Sequence, residues 1–352
     1  MKNVHNNTKE IGWINVLKAI CMIFVYFGHS ELFYGEYIEP ADWFRLTFNT
    51  NAFFFVSGYL LFWKQLSSPR IDAGPKQYIR ENMKKTLTNL LFRIVIPSIL
   101  FSVVIFLPKI LLRDISFSTK EFVYDTIGGT TCWFTSALVV AEIIILILLI
   151  SRKRNIWFYV PFCLILSFFG WWLADNGINL IKGSSAFPWH YKQGLISLSY
   201  IVAGGIYWRY ESQIRKILNK KNLMFQTIAF VLVVVLFHDK MELITSLNRI
   251  NLLGYVVTLW ATILLIEFCR MIPENKVLSY IGHNTMGYYF LSGGIPNIIA
   301  VFFMHIFQFT HWGIMLLIWI LSLLVATIII KIINRLAPWF FDFRVLNRKK
   351  IA

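Results

Sequence analysis

Charged side chains are scarce in this chain. Asp, Glu, Lys and Arg supply 15% of its 352 residues, while 57% are apolar and 17% aromatic, which excludes a surface facing water on every side. Acidic residues are the scarcest charges: 34 Lys and Arg against 18 Asp and Glu leave a net +16. In a water-soluble protein that balance would raise nucleic acid as a partner. Here the basic residues sit in short loops between apolar runs, a pattern that reports membrane orientation, so no nucleic-acid partner is expected. Cysteine is also sparse. Cys21, Cys132, Cys163 and Cys269 lie in or beside apolar stretches with no CxxC spacing, which points to small core residues and to neither a zinc site nor a disulfide scaffold. No GxSxG, P-loop, HExxH or dinucleotide fingerprint is present, and no internal repeat or low-complexity tract stands out.

What the chain has in abundance is apolar runs. A hydrocarbon core of about 30 Å takes about 20 residues of helix, and that template fits ten segments, at 13–30, 46–63, 88–112, 132–150, 156–174, 193–209, 223–238, 250–268, 285–307 and 313–334. The first run shows no small-residue cleavage site and reads as a retained helix. With the N-terminus inside, 24 of the 34 basic residues fall in cytoplasmic stretches, eight in outer ones, and Lys18 and Arg93 inside helices. The expected fold is therefore all-α and polytopic, with about ten transmembrane helices and both termini cytoplasmic. One membrane domain spans 1–352, with a cytoplasmic N-terminal segment at 1–12 and a basic cytoplasmic tail at 335–352. The outer stretch from Glu31 to Asp42 holds four acidic residues and no basic one.

An ionisable residue inside a membrane helix costs about 2.5–3.5 kcal/mol on insertion scales and so needs a partner or a purpose. Lys18 and His29 share the first helix eleven residues apart, three turns plus about 20°, which puts both on one face roughly 16 Å apart along the axis. Lys18 either snorkels to the cytoplasmic interface or lines a path through the bundle. His29 is either an interfacial structural residue or a general base for a hydroxyl. Arg93, four residues before Pro97, suits the phosphates of an anionic donor or of a lipid headgroup. Glu142, with wholly apolar flanks, requires neutralisation or an ion pair with a Lys or Arg. Ser57 and Gly58 read as a close helix contact through small residues. Of the remaining histidines, His190 in AFPWHYKQG is the one kept as a substrate contact, with interfacial packing as the alternative.

These residues together resemble the membrane-bound acyltransferase family 3. The resemblance runs through Asn15, Leu17, Lys18 and His29 in the first helix, FFFVSGYLLF (Phe53 to Phe62), Arg93 and Pro97, CWF (Cys132 to Phe134) and LSYIGHNTMGYYFLS (Leu278 to Ser292), nearly the whole chain. Four positions depart from the family pattern. Asn15 stands for an Asp, Lys18 for an Arg, and Ser292 where a late His is common, and an RxxR pair is reduced to Arg93. The resemblance implies an acyltransferase that moves an acyl group, commonly acetyl from acetyl-CoA, to a hydroxyl of a sugar or other envelope molecule. It implies His29 as the base, Lys18 and Arg93 as donor-binding residues, Trp133 as a wall of the acceptor site and Glu31 as a group that tunes His29. Asn15, Ser57, Glu142 and His190 would line or support the site.

The expected function is thus transfer of an acyl group from acyl-CoA to an envelope or extracellular glycan or its lipid-linked precursor. No permanently bound cofactor and no metal are expected. The partners are the bilayer, acyl-CoA and the glycan acceptor, and a homo-oligomer is compatible with the sequence. Richness in Asn, Ile and Lys fits an AT-biased genome and a bacterial inner-membrane location. Two alternatives use the same polar residues: a transporter or flippase of an anionic or glycolipid substrate, and a non-catalytic subunit of a polysaccharide assembly machine.

Overall fold

The structure is a computed structural model that describes residues 12–68, 75–113, 118–180, 188–241, 251–273, 275–307 and 309–345. Every regular element among the described residues is helical. In chain order these are α1 (Gly12–Tyr34), α2 (Glu39–Leu66), a continuous helical run α3 over 75–113, α4 (Thr119–Asp125), α5 (Trp133–Leu149), α6 (Val160–Asp175) and α7 (Tyr191–Ile217). They continue with α8 (Lys220–Phe237), α9 (Leu252–Met271), α10 (Lys276–His283), α11 (Thr285–Ser292), α12 (Ile295–Phe307) and α13 (Trp312–Leu336). Side-chain oxygens of Asn219, Asn251 and Asn275 accept from the first free amides of α8, α9 and α10, so each of these helices starts where a capping residue stands in the sequence.

The protein is an all-α polytopic membrane protein. Among the described residues, six helices are long and apolar enough to cross a membrane, or seven if the bent pair α11 and α12, with 42° between them, is one span. Each of the ten expected segments falls on helical residues, but not all ten are long and apolar enough to count as crossings. α5 is apolar but only 17 residues long. α2 and α7 are long, at 28 and 27 residues, but carry more polar and charged residues than a plain lipid-facing span.

The described residues fall into two compact units, each discontinuous in sequence. The first is drawn from 12–53, 212–241 and 251–336, the second from 54–211 and 337–345. In the first, α1 is the hub. Tyr26 donates to the carbonyl of Tyr288 (2.9 Å), Trp319 to that of Ile23 (2.9 Å) and Tyr34 to that of Phe309 (2.9 Å). Such bonds matter here because apolar surface gains little by leaving lipid for another helix. Close contact supplies the rest: a Cβ on Gly282 would lie 2.2 Å from the carbonyl oxygen of Asn15, so α10 approaches α1 backbone to backbone.

The second unit uses the same device. A Cβ on Gly58 would lie 1.9 Å from the Ile201 carbonyl oxygen, and one on Gly204 would lie 1.9 Å from that of Phe55, so Gly58 and Gly204 form a reciprocal contact. The close packing expected at Ser57 and Gly58 is present at Gly58. Ser167 donates to the Ile196 carbonyl (2.8 Å) and Ser98 to Thr135 Oγ1 (3.0 Å), fastening α6 to α7 and α3 to α5. All four cysteines are buried and unpaired, as their apolar settings suggest.

Candidate active site

In the first unit, His29 occupies the last third of α1, partly buried, with its ring stacked on Phe33 one turn later (centroids 5.7 Å apart, planes 12° apart). Its Nδ1 is buried and has no hydrogen-bond partner among the described residues. The surrounding charges are paired. Glu31, fully buried, accepts from the amide of Ile38 (3.0 Å) and lies 3.5 Å from Arg45 Nη2. Arg45 also donates from Nε to Asp42 Oδ1 (2.8 Å), with Nη2 on the same oxygen.

Gly28 makes this arrangement possible. A Cβ there would meet the Arg45 guanidinium at 2.2 Å, so the cation lies flat against the helix beside His29. Glu31, expected to tune His29, has its carboxylate committed to Arg45 and Ile38. Asn49 and Asn51, a turn or more further along α2, are buried with side-chain carbonyl oxygens that lack partners among the described residues.

At the other end of α1, Lys18 is partly buried and keeps its place on the His29 face by helical phase. Asn15 lies 3.4 Å from His283 Nε2 through its Nδ2, while His283 Nδ1 lies 2.7 Å from the Ser279 carbonyl oxygen. Asn15 therefore joins α1 to α10.

The second unit holds Arg93 on an unusual turn. α3 contains two π-helical segments, Ile79–Met83 and Leu91–Val95, and Arg93 is at the centre of the second. The cause is Pro97, which has no N–H to donate and whose ring crowds the carbonyl four residues earlier, that of Arg93. The turn widens, and the Ile96 amide donates to Leu91, five residues back. The Phe92 carbonyl is thereby left without a partner inside the helix, and the amide of Phe343 supplies one at 3.0 Å.

Arg93 is exposed, and its electrostatic neighbours are Arg344, Asp342 and Glu142. Lys64, at the end of α2, has Lys85, Glu142, Arg344 and Arg93 as its neighbours. Glu142, expected to be paired, accepts from Ser57 Oγ at 2.6 Å and has the charges of Arg93 and Lys64 beside it. Ser57 thus does more than pack.

Trp133 begins α5, and His190 precedes α7. His190 Nε2 lies 3.1 Å from the Thr130 carbonyl oxygen, and the amide of Trp189 donates to the Gly128 carbonyl (2.8 Å). Trp189 and His190 both take left-handed backbone angles (φ +53° and +46°) to make this clip, an uncommon state for non-glycine residues. Burial pushes the His190 imidazole below its usual range, against the opposing effect of its bonds to Thr130 and Gln193. The clip brings His190 to the loop that leads into Trp133.

The site residues thus form two sets. His29, Glu31, Lys18 and Asn15 belong to the first unit, and Ser57, Arg93, Trp133, Glu142 and His190 to the second. Sequence reasoning did not single out Arg45, or the polar residues Lys64, Asn89, Asp342 and Arg344 of the second unit. A signal for Arg45 was present, since Asp42 stands three residues before it on one helix face.

No curated protein and no solved structure matches the chain. A family model, the acyltransferase domain of acyltransferase family 3, matches residues 11–334 and so takes in all nine of these site residues. With that match over an all-α membrane fold, the chain belongs to acyltransferase family 3 and is a membrane acyltransferase.

Proposed function

We propose that this acyltransferase moves an acyl group, acetyl in the first instance, from acyl-CoA to a hydroxyl of an envelope or extracellular glycan or its lipid-linked precursor. The proposed setting is a bacterial inner membrane with the N-terminus in the cytoplasm. His29 acts as the general base. It takes the acceptor's hydroxyl proton as the oxygen attacks the thioester carbonyl; the new C–O bond forms, the C–S bond breaks, and the proton passes to the departing thiolate. A positioned base of this kind contributes about 10² to 10⁴ in rate.

The observation that carries the reading is the buried Nδ1 of His29, which has no partner among the described residues while the acids and the arginine around it are paired. Leaving such an atom unsatisfied costs about 1–3 kcal/mol. A substrate hydroxyl that completes its bonding would give that cost a function. Arg93 of the second unit and Lys18 of the first are each assigned to the donor, and Trp133 and His190 of the second unit to the acceptor. Asn15, Glu31, Ser57 and Glu142 act by position through the bonds described above.

The test uses membranes carrying the wild-type protein or His29→Ala, incubated with radiolabelled acetyl-CoA and the envelope glycan of the producing cell. Label is expected in an alkali-labile ester with wild type, with a loss of at least about 10²-fold in the variant at equal membrane content. Equal labelling by both removes His29 as the base. No label from either, with several acyl-CoA donors, removes O-acyl transfer to this acceptor class.

A further inference from the structure

The family match ends at residue 334, yet the described residues beyond it are held against α3 by three separate contacts. The amide of Phe343 fills the Phe92 carbonyl left open by the π turn (3.0 Å). Arg344 Nη1 donates to Asn89 Oδ1 (3.3 Å), one turn before Arg93. Aromatic packing of Phe340 on Phe101 (centroids 6.3 Å) anchors the start of the segment. Arg344 is fixed further by Asp342, to which its Nε donates at 2.8 and 3.0 Å, and the two side chains stay 30% and 27% exposed, within reach of a ligand.

The result is a cluster drawn from four places in the chain. Lys64 comes from α2, Arg93 from the wide turn of α3, Glu142 from α5, and Asp342 and Arg344 from the C-terminal segment. With Lys85, which acts on Lys64, four cations accompany two acids, and one of those acids, Glu142, already accepts from Ser57. Lys64, Lys85 and Arg344 all come from stretches whose loop charges assign them to the cytoplasmic side, where a soluble acyl donor would arrive. A surplus of guanidinium and ammonium groups, with Arg344 aligned by its hydrogen bonds to Asp342 and Asn89, is the chemistry that recognises phosphate groups.

We propose that the segment from Pro338 to Arg344 completes the donor's phosphate site, with Arg344 and Arg93 as its paired guanidinium groups, Lys64 as a third cation and Asp342 as an exchangeable internal counter-ion. This rests on the reading of Arg93 as a donor-binding residue and extends it. The arginine missing beside Arg93 in the sequence is supplied from a segment outside the family-matched region. The phosphate belongs to the CoA moiety; a lipid headgroup offers the same chemistry and is separated by the test.

The full chain in phosphatidylcholine nanodiscs is titrated with CoA and with pantetheine, which lacks the phosphates, by calorimetry. Wild type is expected to prefer CoA. Arg344→Gln should weaken CoA binding about tenfold and leave pantetheine unchanged, while Arg344→Lys recovers part of the loss. Asp342→Asn, which removes the internal anion but keeps the cations, should tighten CoA binding; a weakening equal to that of Arg344→Gln would mark the segment as a structural clip and overturn the proposal. If Arg344→Gln binds CoA like wild type while Arg93→Gln does not, the C-terminal segment has no share in the site and the donor reading of Arg93 stands. If wild type does not distinguish CoA from pantetheine, both fall. If, with phosphatidylglycerol added, Arg344→Gln alters only the retention of that lipid, the site serves lipid phosphate and the proposal fails.

Discussion

The two charged clusters solve opposite problems. Around His29, the buried Glu31 and Arg45 form an ion pair, the partly buried Asp42 accepts from Arg45, and the imidazole next to them keeps one nitrogen unused. Around Arg93, cations outnumber acids and remain partly or fully exposed. The first arrangement spends all its charges on itself and leaves a neutral group available. The second leaves charge unspent. A group meant to move a proton benefits from fixed surroundings, whereas a group meant to hold a diffusing anion benefits from uncompensated charge within reach of water.

That contrast can be broken in graded steps. The largest effect on stability is expected from Arg45→Met, which strands Glu31 and Asp42; removing one member of a buried pair costs about 3–5 kcal/mol. A clear fall in the thermal unfolding temperature of the detergent-solubilised protein would show it. An Arg93→Met variant should change that temperature far less, because Arg93 is exposed, and an equal fall would erase the distinction between the two clusters. Ser57→Ala is a smaller step. It removes the 2.6 Å bond to Glu142 and should cost about 1–3 kcal/mol, since the buried acceptor loses its donor. The companion Glu142→Gln, which can still accept from Ser57, should cost less by the same unfolding measurement.

The smallest effect concerns acid. Burial raises the Asp342 carboxyl, but the Arg344 side chain and backbone amide, with the charges of Arg344 and Arg93, outweigh it and hold the group below the ordinary carboxylate range. A depressed carboxyl contributes stability that is present above its unfolded value, about 3.9, and lost only as pH falls through its lower folded value. The docking of residues 338–344 should therefore be unchanged between pH 7 and pH 5. Hydrogen exchange of the Phe343 amide, corrected for intrinsic rate, is the measurement; a marked loss of protection in that range would mean another group controls the segment.

Much of this could be read in advance, for physical reasons that differ by residue. Helices announce themselves by apolar length, so all ten expected segments coincide with helices, and His29 and Lys18 share a face because 3.6-residue periodicity holds along α1. The crossing count was less legible, since α2 and α7 mix polar residues into long helices and α5 is short. Arg45 was hidden because its partner Glu31 lies on a different helix, and a contact between helices leaves no spacing in the sequence. The C-terminal segment looked like a solvated basic tail. What holds it is a backbone carbonyl, and backbone groups have no letter in the sequence; the one visible sign was Pro97 standing four residues after an intramembrane arginine.

The wide turn at Leu91–Val95 has a consequence in the currency of inheritance. A π turn holds one residue more than an α turn, so it behaves as a single inserted codon that the helix has absorbed. Losing one residue between Arg93 and Pro97 would close the turn to an α-helical one while the flanking helix keeps its phase, and the Phe92 carbonyl would no longer be presented to Phe343 as it is. Within that stretch, a change of length should be purged more strictly than most changes of side chain.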